Sequence, residues 1–294
     1  MKSRSQWRVS KDLAGMSLLS FLKEKCVAAP SVKALKRAID AKSCSVNGRI
    51  EIFSSFSLSE NDLVSLSEGA FEVKTRSKKT KLSVLYEDDE LLICNKSAGV
   101  TSEKSSVLPL LPSSKKSWEL VHRLDKETTG ALIIAKTSSM KQKMMELFRQ
   151  RKVQKAYLAI VDGVMAKEEG TIDNFLGRIH SYQGQTIYGA VDPKKGLHAI
   201  THWKCLKRAK TASLVWCEPL TGRTHQLRVH FSGIGHPILG DTQYGKRFRC
   251  SLQQKRNLLH AYQIRFVHPS TGDQMKVIAP IPADFKQALD TLKR

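Results

Sequence analysis

One carboxylate, Asp125, lies inside a run of cations: His122, Arg123 and Lys126 surround it in the stretch VHRLDKETTGALIIAKT, residues 121–137. A carboxylate so placed has two uses. It can be half of a surface ion pair, which is worth little, or it can be a reactive group presented on a loop by a rigid scaffold. A Thr-Thr-Gly turn comes next, and then the apolar run Ala131-Leu132-Ile133-Ile134-Ala135, of strand length and strand composition. Asp125 therefore sits on a loop tied to a buried strand.

Two further stretches carry residues that could serve such a carboxylate. Val153 to Val161 reads as a strand closed by Asp162-Gly163, and it holds Lys155 and Tyr157. Tyr157 offers a flat face for stacking and a polar hydroxyl, although an isolated strand tyrosine is more often core. Residues 219–230 read PLTGRTHQLRVH. Here Thr224 is placed to N-cap a helix that turns Leu227 and Phe231 inward. On that helix His225 and Arg228 stand at i, i+3 and share a face. Metal chemistry has no support: the nine histidines include no His-Glu-x-x-His, and the six cysteines include no Cys-x-x-Cys. Scattered reduced thiols suit a cytoplasmic protein.

The elements that must position these groups can be read from periodicity. Leu82 to Tyr86 alternates as a strand, Glu87-Asp88-Asp89-Glu90 turns, and Leu91 to Cys94 returns into Asn95-Lys96-Ser97-Ala98-Gly99. Residues 101–118, rich in Ser, Lys and Pro, read as a mobile loop. Met140, Met144, Leu147 and Phe148 recur at helical spacing, with the basic run Arg149 to Lys152 at the helix end. The five glycines between 170 and 196 suggest short strands and many turns, and Leu214 to Cys217 is a further strand.

The chain of 294 residues is long enough for two domains. The division falls at VKTRSKKTK, residues 73–81, a linker by composition. Residues 1–72 form a small basic module. Leu18, Leu19, Phe21 and Leu22 begin one helix, and Ser31 caps a second. In that second helix Val32, Leu35 and Ile39 share a face while Lys33, Lys36 and Arg37 point elsewhere. Asn47-Gly48 then turns a hairpin. The net charge is +22, with 16 Lys/Arg against 8 Asp/Glu in residues 1–81 and 33 against 19 in the remainder. Both parts are basic, which points to a polyanion bound along both. No apolar run reaches the roughly 20 residues of a membrane span, and the N-terminus has no apolar signal core.

His-Arg-Leu-Asp with the following Thr-Gly and apolar strand, Lys155-x-Tyr157-x-Ala159, and Gly222-Arg-Thr-His-Gln-Leu-Arg228 resemble, in order, the motifs of the RluA-type pseudouridine synthases. Asn95-Lys96-Ser97-Ala98-Gly99, Gly235-His236-Pro237 through Asp241 with Tyr244-Gly245, and Leu258-Leu259-His260-Ala261 continue the likeness across residues 82–294. Residues 1–72 resemble the small RNA-binding domain named after ribosomal protein S-four, best over Ser31 to Gly48. The resemblance implies an α+β fold, with a largely antiparallel mixed sheet and a small N-terminal α/β RNA-binding domain. It implies Asp125, Tyr157 and Arg228 as catalytic residues. It further implies Arg123, Lys155, Arg223, His225 and Gln226 as RNA-binding or site-supporting, joined by Lys33, Lys36 and Arg37 in the small module. Neither a cofactor nor a metal is required. The implied partner is RNA, large-subunit ribosomal RNA first and tRNA as the alternative, bound by a cytoplasmic monomer. Two rival classes are a non-catalytic RNA-binding ribosome-assembly factor and a metal-dependent hydrolase.

Overall fold

The computed structural model describes residues 4–27, 29–41, 43–51, 53–67, 70–71, 81–182, 185–245, 248–252 and 254–292. The proposed linker lies outside these residues except for Lys81. The chain divides into two compact units, one within residues 1–78 and one from 79 onward, apart from the short stretch 182–185.

The first unit is built from β1 (Arg4–Arg8), α1 (Leu18–Lys25), α2 (Val32–Asp40), β2 (Cys44–Val46), β3 (Arg49–Ile50) and β4 (Leu63–Ser67). Its four strands pair in the order β1-β4-β2-β3. Ser31 does cap α2, accepting from the Ala34 amide at 3.1 Å. Leu35, Ala38 and Ile39 face a core that includes Phe21, Leu22 and Val64. The β2–β3 turn puts Asn47 at φ 51° and Gly48 at φ 78°, the two left-handed residues that a tight hairpin requires. The Asn47 side chain then accepts from the Leu63 amide at 2.8 Å, tying the turn to β4.

The second unit opens with β5 (Ser83–Glu87), β6 (Leu91–Lys96) and α3 (Lys104–Val107), then β7 (Glu119–Leu120), β8 (Thr129–Ala135) and α4 (Ser138–Arg149). It continues with β9 (Gln154–Asp162), β10 (Glu169–Tyr182), β11 (Gln185–Ala190), β12 (Leu197–Arg208) and β13 (Ala212–Pro219). The last elements are α5 (Gln226–Gly233), β14 (Leu259–Val267), β15 (Gln274–Ile278) and α6 (Ala283–Thr291). One mixed sheet runs β11-β10-β12-β13-β9-β14-β8-β6-β5, with β15 beside β14 and β7 beside β8. The β8–β14 pair is parallel, through His260↔Thr129 and Ala261↔Gly130. The α+β architecture expected from the sequence is the one observed.

β8 is buried at every position, because its two faces enter two different cores. Leu132 and Ile134 pack with Leu92, Cys94 and Trp118, while Ala131, Ile133 and Ala135 pack with Leu91, Ile93, Met140 and Met144. The period of two thus serves both sides of the sheet, and Met140 and Met144 of α4 are core, while Met145 is exposed. At the head of β8, Gly130 has φ 114°, and a β-carbon there would lie 2.2 Å from the Ala261 carbonyl oxygen. Only glycine lets the two backbones come this close.

Two expectations fail. Residues 101–118 are not a mobile loop: α3 and the turn Leu108–Leu110 follow each other directly. Val107, Leu108, Leu110, Leu111 and Trp118 all bury against the β6 and β8 face, which outweighs the polar composition. Residues 164–200 are not short strands either, since β10 runs for 14 residues and β12 for 12. Gly170 and Gly177 mark close approaches rather than turns. A β-carbon at Gly170 would meet the Trp203 ring at 2.8 Å, and one at Gly177 would meet the Lys195 carbonyl oxygen at 2.7 Å.

Candidate active site

Asp125 stands in a tight turn, its carbonyl accepting from the Thr128 amide at 3.0 Å, just before β8. It lines a cavity of about 590 Å³ with Arg123, Lys155, Tyr157, Arg223, His225, Gln226 and Arg228. Three separate stretches of sequence thus converge on one cavity. Lys33, Lys36 and Arg37 are exposed on α2 of the first unit and do not line it.

Arg228 is the hub. Its Nη1 donates to Asp125 Oδ2 at 3.4 Å. Its Nε and Nη2 donate to Asp241 Oδ2 and Oδ1 at 2.6 and 3.0 Å, and Nη2 also reaches Gln243 Oε1 at 2.8 Å. The guanidinium lies 4.8 Å from the centre of the Tyr244 ring, a cation–π contact. Burial works against its charge, but Asp241 and Asp125 outweigh it and hold the guanidinium charged above its ordinary pKa.

Tyr157 enters the cavity from β9. Burial first, then the charge of Asp125, raises its hydroxyl pKa above the ordinary value, so it presents a hydroxyl and not a phenolate. Lys155 is pushed down to about 8 by burial, and its Nζ donates to the Thr221 carbonyl at 3.3 Å. His122 accepts the Ile133 amide at Nε2, 3.0 Å away. That bond needs an unprotonated nitrogen, in keeping with a pKa lowered to about 3 by burial and by Lys155.

The Thr224 cap predicted from sequence is not formed. The helix begins at Gln226, and the residue before it is His225, in the left-handed conformation at φ 56° with no side-chain cap. His225 therefore does not share a helical face with Arg228; its backbone turns the ring toward Asp125, with Nε2 3.9 Å from Oδ1. Burial and the nearby Arg228 push its pKa down to about 4, so the ring is neutral at neutral pH. Its Nδ1 lies 2.8 Å from the Tyr244 hydroxyl.

Gln226 supports the loop from within. Its carbonyl accepts from Thr221 Oγ1 at 2.7 Å and from the Arg223 amide at 3.0 Å. Its amide donates to Ile200 O at 2.9 Å and Thr201 Oγ1 at 3.0 Å. All four of its hydrogen-bonding positions are used inside the protein. Gln226→Leu removes all four bonds and leaves the Arg223 amide without its side-chain partner, while Thr221 Oγ1, Ile200 O and Thr201 Oγ1 keep other bonds. The cost should be about 3 kcal/mol in all, and a thermal melt should show a Tm lower by roughly 5–10 °C. An unchanged Tm would show that water replaces the amide without penalty.

Several residues of this site escaped the sequence reading. Arg149 and Arg151 line the cavity from the end of α4. Lys96 is fully buried and donates to the carbonyls of Ser97, Val100 and Lys126 at 3.1, 2.9 and 3.1 Å, pinning the Asp125 turn from behind. Burial lowers its pKa to about 8, while Glu127 and Asp125 act in the opposite direction. A lysine two residues after four buried apolar positions was the signal available. Asp241 and Tyr244 were visible only as parts of a longer pattern. Among the described residues no group of three or more His, Cys, Asp or Glu is placed to hold a metal ion, and no helix is long and apolar enough to cross a membrane.

The family described as RNA pseudouridylate synthase matches residues 90–233, which include Asp125, Tyr157 and Arg228. Ribosomal large subunit pseudouridine synthase C of Buchnera aphidicola subsp. Schizaphis graminum is 38% identical over 74% of this chain and 73% of that protein. The chain belongs to the RNA pseudouridylate synthase family. The synthase resembles a relative along almost its whole length as well: ribosomal large subunit pseudouridine synthase C of Haemophilus ducreyi is 33% identical over 97% of this chain and 94% of that protein. Among solved structures, human RNA pseudouridylate synthase domain containing 4 superposes with a TM-score of 0.61 and 28% identity. That match covers 72% of this chain and 93% of that chain. The synthase fold and the three-motif cavity thus occur together.

Proposed function

We propose that this synthase converts uridine to pseudouridine in large-subunit ribosomal RNA, with Asp125 as the carboxylate at the sugar–base junction. The observation that carries the reading is the Asp125–Arg228 pair at 3.4 Å in a cavity it shares with Tyr157. In the reaction the N1–C1′ bond breaks, the uracil turns and C5 bonds to C1′. C5 loses its proton and N1 gains one, so neither oxidant nor group donor is consumed. Arg228 directs the Asp125 carboxylate, and the Tyr157 ring offers a face for the uracil with its hydroxyl as a hydrogen-bond donor. The uridine must leave its stack to enter, at a few kcal/mol. Arg123, Lys155 and Arg223 at the cavity, with Lys33, Lys36 and Arg37 on α2, supply phosphate contacts in support of a net charge of +22. The named relatives that modify the ribosomal large subunit favour ribosomal RNA over tRNA, and a cytoplasmic monomer suits that substrate.

The test is pseudouridine mapping of ribosomal and transfer RNA from cells with and without the gene. A large-subunit site lost on deletion and restored by the wild-type chain is the expected result. A tRNA site responding instead would replace the substrate. RNA binding with no site responding would turn the reading into that of an assembly factor.

A further inference from the structure

The hydrogen bonds of Arg228 are unevenly shared. Of its five N–H donors, Nε and both on Nη2 are used by Asp241 and Gln243, leaving Nη1 alone to face Asp125 at the longer distance of 3.4 Å. Asp241 is itself held: its side chain is 1% exposed, and its Oδ1 also accepts the amides of Gln243 and Tyr244 at 3.0 and 3.2 Å. Among the described residues Arg228 is the cation that faces this carboxylate.

We infer that Asp241 is a positioning residue for the isomerisation: it fixes the guanidinium edge-on, so that Arg228 directs Asp125 through Nη1 without closing a two-point bridge on it. This rests on the reading of Asp125 as the reacting carboxylate. Had Arg228 clamped Asp125 bidentately, the carboxylate would have both oxygens engaged and little freedom to meet the sugar. With Asp241 taking the firm grip, Asp125 is oriented by one long, weak bond and keeps Oδ1 open toward the cavity, 3.9 Å from a neutral His225. Asp241 touches neither substrate nor reacting atoms in this arrangement, and acts through Arg228.

The experiment is single-turnover pseudouridine formation on a transcribed large-subunit rRNA fragment, with Kd for the same fragment and a thermal melt, for wild type, Asp125→Asn, Asp241→Asn and Asp241→Glu. Asp241→Asn sets an amide N–H against the guanidinium and frees Arg228 to turn. We expect its rate to fall at least tenfold with Kd within twofold, and Asp241→Glu to recover part of the loss. A wild-type rate in Asp241→Asn overturns the inference, as does a parallel loss of rate and RNA affinity. If Asp241→Asn does not fold, Asp241→Glu decides: a severalfold slower rate at unchanged Kd supports positioning, and a wild-type rate or weakened binding refutes it. Failure of the underlying reading looks different, since wild type would then form no product, or Asp125→Asn would form as much.

Discussion

Asp125→Asn should lower pseudouridine formation at least a thousandfold while RNA affinity stays within about twofold. The size reflects removal of a group that reacts rather than one that binds, ~4 kcal/mol or more of barrier. Asparagine has nearly the same shape but is neither a nucleophile nor a base of comparable strength. The surroundings should hold, because the Asp125 turn is closed by a backbone bond to Thr128 at 3.0 Å. Arg228 keeps its Asp241 and Gln243 partners as well. Affinity should persist because it comes from cations along the phosphate backbone. Quench-flow turnover, filter binding and a melt on the same preparation check all three parts. A variant that turned over at the wild-type rate would remove Asp125 from the chemistry.

Gly130→Ala should be among the most damaging single methyls in the catalytic unit. The residue sits at φ 114°, and its added carbon would fall 2.2, 2.7 and 2.8 Å from the O, C and N of Ala261. Backbone, unlike a flexible side chain, cannot swing away. Left-handed strain and overpacking together should exceed about 3 kcal/mol, a Tm loss near 10 °C for a unit of this size. Because the Asp125 turn leads directly into this strand, turnover should fall with it. Circular-dichroism melting is the check, and a Tm within 2 °C of wild type would show that β8 and β14 can separate at no cost.

What was legible in the sequence was local. The apolar run at residues 131–135 identified a strand, the spacing of Met140 and Met144 identified a core helix, and Asn47-Gly48 identified a turn, because each depends on neighbours within a few residues. The motif order also placed Asp125, Tyr157 and Arg228 in one site. What was not legible depended on residues far apart in the chain. The grip of Asp241 on Arg228 and the three carbonyls around Lys96 are contacts made by the folded loops. Gly170 and Gly177 look like turn residues until Trp203 and Lys195 are found against them. The Thr224 cap failed because Gln226 ties the preceding loop to Ile200 and Thr201 on β12, and this tertiary anchoring overrides the local capping preference.

The parallel pairing of β8 with β14 has a consequence for how the molecule can fail. Its register is two residue pairs long, braced by Thr129 and His260 side chains 2.8 Å apart. On one side of this join the antiparallel ladder β8-β6-β5 carries Asp125 at its entrance. On the other, the ladder from β14 through β9 and β13 carries Tyr157 and leads into the helix of Arg228. An opening confined to the join would part the carboxylate from both partners while each ladder kept its own hydrogen bonds. Such sub-global openings lie below the free energy of global unfolding. The site can therefore come apart at a lower free energy than the whole unit, and Gly130 lies at the join where it would do so.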